Sequence, residues 1–148
     1  GLPNRFAGQG SEKYEQPVKR NKKFDIFKNW EKGSLKNSKY IALFPNVMIG
    51  LNLDHFYVFW LEPITVNKTR EHMQMYYIGD KSANGEELKE LRQENSRFWK
   101  DVMLEVISAI EGMQTGRGSP VYNGGNFSSV MDLPTHQFHK WVAKNLIK

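Results

Sequence analysis

The sequence predicts an α+β fold, an antiparallel sheet against one long helix with a second helix near the C-terminus. Three observations carry this. Between Tyr40 and Ile78 the apolar residues fall into short runs divided by turn signals, at the spacing of hairpins. Between Glu86 and Gly116 the period lengthens to three and four, the repeat of a helix face. The strands run consecutively before the long helix arrives, which is the segregation of an α+β chain.

Residues 1–37 form a polar, basic N-terminal segment. Its first 23 residues hold few apolar anchors and are expected to be extended or partly disordered. Phe24, Phe27 and Trp30, spaced i, i+3, i+6, predict a short aromatic helix ending near Gly33, with Ser34 to Ser38 as a loop. Residues 38–148 are the folded domain. Tyr40 to Phe44 is a first strand, ended by Pro45-Asn46, and Val47 to Leu51 is a second, with Asn52 to Asp54 as its turn. His55 to Leu61 is dense in β-branched and aromatic residues, and Pro63 is expected to close it. Val66 to Thr69 reads as another turn before the alternating run Glu71 to Ile78.

In the long helix, Leu88, Leu91, Phe98, Trp99, Val102, Met103, Val106, Ile107, Ile110 and Met113 form the apolar stripe. Asn84-Gly85 precedes it, Glu86 and Glu87 suit its first turn, and Gly116 and Gly118 follow its end. The polar stretch from Arg92 to Arg97 predicts a break or kink, and the half from Phe98 onward is expected to be the more deeply buried. Gly116 to Ser129 is a loop. A last helix begins near Asp132, where Asp132 or Thr135 suits a cap and Pro134 suits the first turn. Phe138, Trp141, Val142 and Leu146 are its apolar stripe.

The totals exclude several classes. At 148 residues the chain is long enough to bury a core, and 39% hydrophobic residues suit a globular domain. It holds no cysteine, so disulfides, thiolate metal sites and cysteine nucleophiles are absent from it. No apolar run nears the roughly 18 residues of a membrane span. No signal-peptide pattern opens the sequence, so the cytoplasm is the expected compartment. The net charge of +5 is concentrated in Lys19, Arg20, Lys22, Lys23, Lys28, Lys32, Lys36 and Lys39. Such a patch could meet nucleic acid or an acidic partner protein, but with no nucleic-acid motif beside it, it reads as a solvated basic surface, and nucleic acid is not an expected partner.

Chemistry-bearing patterns are few. His136 and His139 stand at i, i+3, a spacing able to place two imidazoles on one metal, but no carboxylate or thiolate partner lies nearby in sequence, so they read as surface or packed histidines. His72 reads as a half-exposed sheet residue. Glu105 lies on or beside the apolar stripe, where a carboxylate is costly unless it is paired or bound to metal. The alternative is a boundary Glu pointing to solvent.

Four segments in series carry a resemblance. They are Tyr40-Ile41-Ala42-Leu43-Phe44-Pro45-Asn46-Val47-Met48-Ile49, then Trp60-Leu61-Glu62-Pro63 with Lys68-Thr69. Next come Glu105 to Gly116 with Ser119 to Gly125, and last His136-Gln137-Phe138-His139-Lys140-Trp141. Together they resemble the C-terminal catalytic-domain portion of Rieske non-haem iron, aromatic-ring-hydroxylating oxygenase α subunits, over about residues 38–148. The resemblance implies a partial helix-grip (START-like) catalytic domain, its sheet wrapped on the long helix. It implies a mononuclear Fe(II) held by two histidines and a carboxylate, and a Rieske [2Fe–2S] cluster as the electron source. Implied partners are dioxygen, a small organic substrate to be hydroxylated or demethylated, a reductase or ferredoxin donor, and further copies of the chain, as a trimer in the family or a dimer for this piece. Glu105 is the implied metal ligand, and Phe44, Asn46, Phe56, Phe59 and Met103 are the implied substrate-pocket residues.

The sequence also departs from the pattern. The Rieske Cys/His motifs and the segment carrying both iron histidines are not in these residues, and would lie N-terminal to them. The position after Glu105, where much of the family has Asp, is Val106. This chain alone is therefore expected to be inactive and to hold no tightly bound cofactor. The alternative is a non-catalytic helix-grip protein that binds a small apolar ligand.

Overall fold

The computed structural model of the chain describes residues 5–11, 22–28, 30 and 38–147. Five strands form one antiparallel sheet in sequence order: β1 (Phe6–Ser11), β2 (Ser38–Leu43), β3 (Val47–Leu51), β4 (His55–Thr65) and β5 (Lys68–Tyr77). A short helix α1 (Gly79–Asn84) and a turn of tighter helix lead into α2 (Lys89–Arg117), and α3 (Leu133–Leu146) ends the chain. The architecture is the expected α+β, an antiparallel sheet with a long helix and a C-terminal helix.

Cross-strand register decides which side chains share the face toward α2. Tyr57 stands opposite Gly50 and Met75, and Phe59 opposite Met48 and Met73. Gly50 in turn faces Tyr40, and Met48 faces Ala42. Because side chains alternate along a strand, these residues form rows on one face. Tyr57, Phe59 and Trp99 of α2 are the buried centre, with Tyr40, Leu61, Met73, Met75, Val102 and Met103 packed around them. A second cluster joins Phe24, Leu88 and Leu91, with Tyr77 against it.

Several local expectations are corrected. Residues 6–11 are a strand on the sheet edge, paired along β2. Phe24 to Phe27 form no helix. Two of their amides are committed elsewhere, Asp25 N–H to Ser82 Oγ at 2.8 Å and Phe27 N–H to the Leu53 carbonyl at 3.0 Å, which ties the segment to α1 and to the turn before β4. Phe24 still docks by burial, and Phe27 stacks on Trp30 with centroids 5.9 Å apart. Of the loop expected from Ser34 to Ser38, Ser38 instead opens β2, and residues 34–37, with the basic residues Lys19, Arg20, Lys32 and Lys36, lie outside the described residues. Pro63 does not close β4, which runs on to Thr65 through an irregularity between Pro63 and Thr65.

The long helix is continuous through Arg92–Arg97. Its polar residues there have partners: Arg92 Nη1 donates to the Ser82 and Gly85 carbonyls at 3.0 Å each, and Asn95 Nδ2 donates to the Tyr77 hydroxyl at 3.3 Å. Depth runs opposite to expectation. Leu91, Asn95 and Trp99 are buried, whereas Leu104, Val106, Ile110 and Met113 are about half exposed. The sheet packs tightly on the first half of the helix only, and the second half stands off it. At α3, Asp132 does not cap; its carboxylate accepts the Ser128 N–H at 2.7 Å.

Candidate functional site

Where α2 stands off the sheet, a hollow of about 420 Å³ opens. The sheet supplies Tyr40, Met48, Tyr57, Phe59, Leu61 and Glu71 to it, α2 supplies Met103, Val106 and Ile110, and the start of α3 with the residues before it supplies Met131, Pro134 and Thr135. Its volume suits a small organic molecule, and its walls are mostly apolar, as binding pockets are.

Gly50 shapes the floor. A Cβ there would overlap the Tyr57 ring, so only glycine lets that ring lie down over β3. The ring is then flanked by Trp99, with centroids 4.7 Å apart. Burial, helped by Tyr40, pushes the Tyr57 phenol up, so it keeps its proton at any physiological pH. Glu71 stands opposite Leu61 on the same face. Burial pushes its carboxyl up as well, and it has neither a hydrogen bond nor an ion pair among the described residues.

Behind the Tyr57 ring, Trp99 joins a buried polar chain that does not line the hollow. Ser38 Oγ donates to Asn52 Oδ1 at 2.7 Å, Asn52 Nδ2 lies 3.2 Å from His55 Nε2, and His55 Nδ1 lies 2.8 Å from Asp54 Oδ1. Trp99 Nε1 donates to the same His55 Nε2 at 2.8 Å. An indole nitrogen can only donate, so Nε2 accepts and the imidazole proton sits on Nδ1, facing Asp54. His55 is 1% exposed. This histidine is a structural bolt between β4 and α2, and it is closed to ligands.

Of the residues expected to line a pocket, the structure brings Phe59 and Met103 together in the hollow. Phe44 lies instead at a neighbouring cleft between β1 and α3, against Phe138 and Trp141 at centroid distances of 5.2 and 5.9 Å. Asn46 hydrogen-bonds through Nδ2 to the Leu61 carbonyl at 2.8 Å. Phe56 is on the opposite face of the sheet, stacked on Tyr76 at 4.7 Å. Period two forbids Phe56 and Phe59 from sharing a face, and the same parity from Phe59 points to Tyr57 and Leu61. Glu71 and Gly50 were not legible without the register.

The same arrangement tests the donor set for iron. Glu105 is exposed, and Val106 is the neighbour that lines the hollow. Among the described residues no three of His, Cys, Asp or Glu gather as a metal site. His55 is committed as above, His72 bonds Glu62 at 2.8 Å, and His136 and His139 flank the Phe127 ring at 4.8 and 5.2 Å. These residues do not by themselves fit a mononuclear iron.

Compared with known families, residues 4–147 match the model for the ring hydroxylating alpha subunit (catalytic domain). The chain belongs to this family. Membership in the ring-hydroxylating α-subunit family makes the fold that of an oxygenase catalytic domain, a family that works with non-haem iron, dioxygen and an organic substrate. No curated protein and no solved structure matches the chain. Among the described residues of this ring-hydroxylating α-subunit chain, no helix is long and apolar enough to cross a membrane.

Proposed function

We propose that the chain is the C-terminal, substrate-holding part of a Rieske-type ring-hydroxylating oxygenase α subunit acting in the cytoplasm. The hollow between the sheet and the second half of α2 is the substrate pocket, with Phe59 and Met103 in its walls. The family match across residues 4–147, together with an apolar hollow of substrate size on the expected helix, supports this reading. In the complete enzyme the non-haem iron would supply dioxygen activation, for hydroxylation or demethylation. Electrons would come from a Rieske centre fed by a reductase or ferredoxin, and the enzyme would be a homo-oligomer. The residues of this chain bind and orient the substrate and exclude water from it.

Glu105 is the carboxylate proposed as iron ligand, on its register with the family, although its exposed place on α2 leaves it outside the hollow. Substituting Glu105→Gln in the intact α subunit should lower iron loading and turnover together; unchanged loading would remove the assignment. The chain purified alone is expected to be inactive and to carry no stoichiometric iron. Tight, stoichiometric iron on it would contradict the reading.

A second reading is favoured by one observation: Val106, with no donor atom, lines the hollow where the carboxylate is expected. On that reading the chain is a non-catalytic helix-grip protein that binds a small apolar ligand. Native mass spectrometry separates the two, since a co-purified organic molecule without metal favours the binder.

A further inference from the structure

We propose that the hollow selects an apolar cation, a small methylated ammonium compound, with Glu71 as its counter-ion and the Tyr57 and Phe59 rings as the faces it rests against. This rests on the small-molecule reading of the hollow given above.

The argument starts from charge. Glu71 is the one charged residue among the described residues that line the hollow. The chain as a whole carries a net charge of +5, yet among the described residues neither Lys nor Arg lines this space. Lys140 and Lys144 line the neighbouring cleft between β1 and α3 instead. An anionic ligand in the hollow would thus meet only like charge.

Position comes next. Glu71 pairs directly with Leu61, and the next inward pair along β4 and β5 is Phe59 with Met73. Diagonal neighbours on one face of a sheet stand roughly 7–8 Å apart, within reach of long and aromatic side chains. A methylated ammonium group placed between them presents methyls to ring faces and its charge to the carboxylate. The negative faces of aromatic rings attract such cations.

The outward-facing acid of this sheet is treated differently. Glu62 has His72 and Arg70 as partners, at 2.8 and 3.2 Å. Among the described residues Glu71 has none, and burial pushes it up. A neutral hydrocarbon filling the hollow would strip water from this carboxylate and return nothing, whereas a cation compensates it.

The test uses two probes of one shape, para-hydroxyphenyl-trimethylammonium and its uncharged isostere para-tert-butylphenol, titrated calorimetrically into the protein. The cation is expected to bind about tenfold tighter or more. Glu71→Gln, which keeps shape and volume, should abolish that preference while leaving the phenol's affinity within about twofold. Equal or tighter binding of the phenol to the unsubstituted protein overturns the proposal, as does a preference that survives Glu71→Gln. Ile110→Trp, which fills the hollow from α2, should weaken both probes. If both probes bind and Ile110→Trp weakens neither, the hollow is not the site, and the pocket reading fails along with this inference. If Ile110→Trp weakens both but charge makes no difference, the cation inference alone fails.

Discussion

The bond from Trp99 to His55 is where α2 is fastened to the sheet, and Trp99→Phe isolates it. The substitution removes the indole N–H that donates to His55 Nε2 at 2.8 Å, leaving that nitrogen with Asn52 Nδ2 at 3.2 Å. A buried hydrogen bond of this kind contributes about 0.5–1.5 kcal/mol net. Trp99 is 7% exposed and packs on Tyr57, so loss of the second ring also leaves a void. That void costs about 1 kcal/mol at the usual dependence on cavity volume. The sum is about 2 kcal/mol. Urea denaturation followed by far-ultraviolet circular dichroism should show this as a lower midpoint at unchanged slope. A loss below about 0.5 kcal/mol, within the range of an ordinary surface change, would refute the claim that this contact joins helix to sheet.

Other expectations follow from the same geometry. Gly50→Ala should lift the Tyr57 ring into the hollow, costing about 1–3 kcal/mol as overpacking does and weakening small-molecule binding, both readable in one calorimetric series. Glu62 is held below the ordinary carboxylate value of 4.5 by its hydrogen bond to His72 first, and then by Arg70. Its folded-state value is depressed, so its contribution is present above the unfolded-state value and fades as pH falls through the folded one. His72→Gln should therefore raise the Glu62 titration seen by carboxyl-carbon NMR. Glu71 runs the other way: its value is raised, so its ionisation disfavours the fold as pH climbs, and Glu71→Gln should flatten that part of the stability profile. An unchanged profile would mean the carboxylate is better solvated than its place on the inner face implies.

Much of the fold was legible because it rests on period. The short apolar run Val47 to Leu51, the β-branched and aromatic run His55 to Leu61 and the alternating run Glu71 to Ile78 announce strands, and the repeat from Leu88 to Met113 announces α2. What misled was composition read without partners. The polar stretch Arg92–Arg97 looked like a kink, but Arg92 and Asn95 find carbonyl and hydroxyl partners that exist only once β5 and α1 are in place. The greasy second half of α2 looked like core, yet it stands off the sheet and walls the hollow. β1 carries two glycines and few apolar residues, so no local signal marks it; pairing along β2 makes it a strand. The candidate site was half legible. Phe59 and Met103 follow from face and period, whereas Tyr57 over Gly50 and Glu71 beside Leu61 depend on cross-strand register, which adjacent residues do not encode.

Methionine methyls offer the most direct probe of the hollow. The chain has six methionines. Met48, Met103 and Met131 line the hollow from the sheet, α2 and the approach to α3, while Met113 lies further along α2, 55% exposed and outside it. With carbon-13-labelled methyls, titration with para-tert-butylphenol should shift Met48, Met103 and Met131 in concert at one affinity and leave Met113 in place. Shifts confined to Met113, or no saturable shift at the three lining methyls, would contradict a substrate pocket between this sheet and this helix.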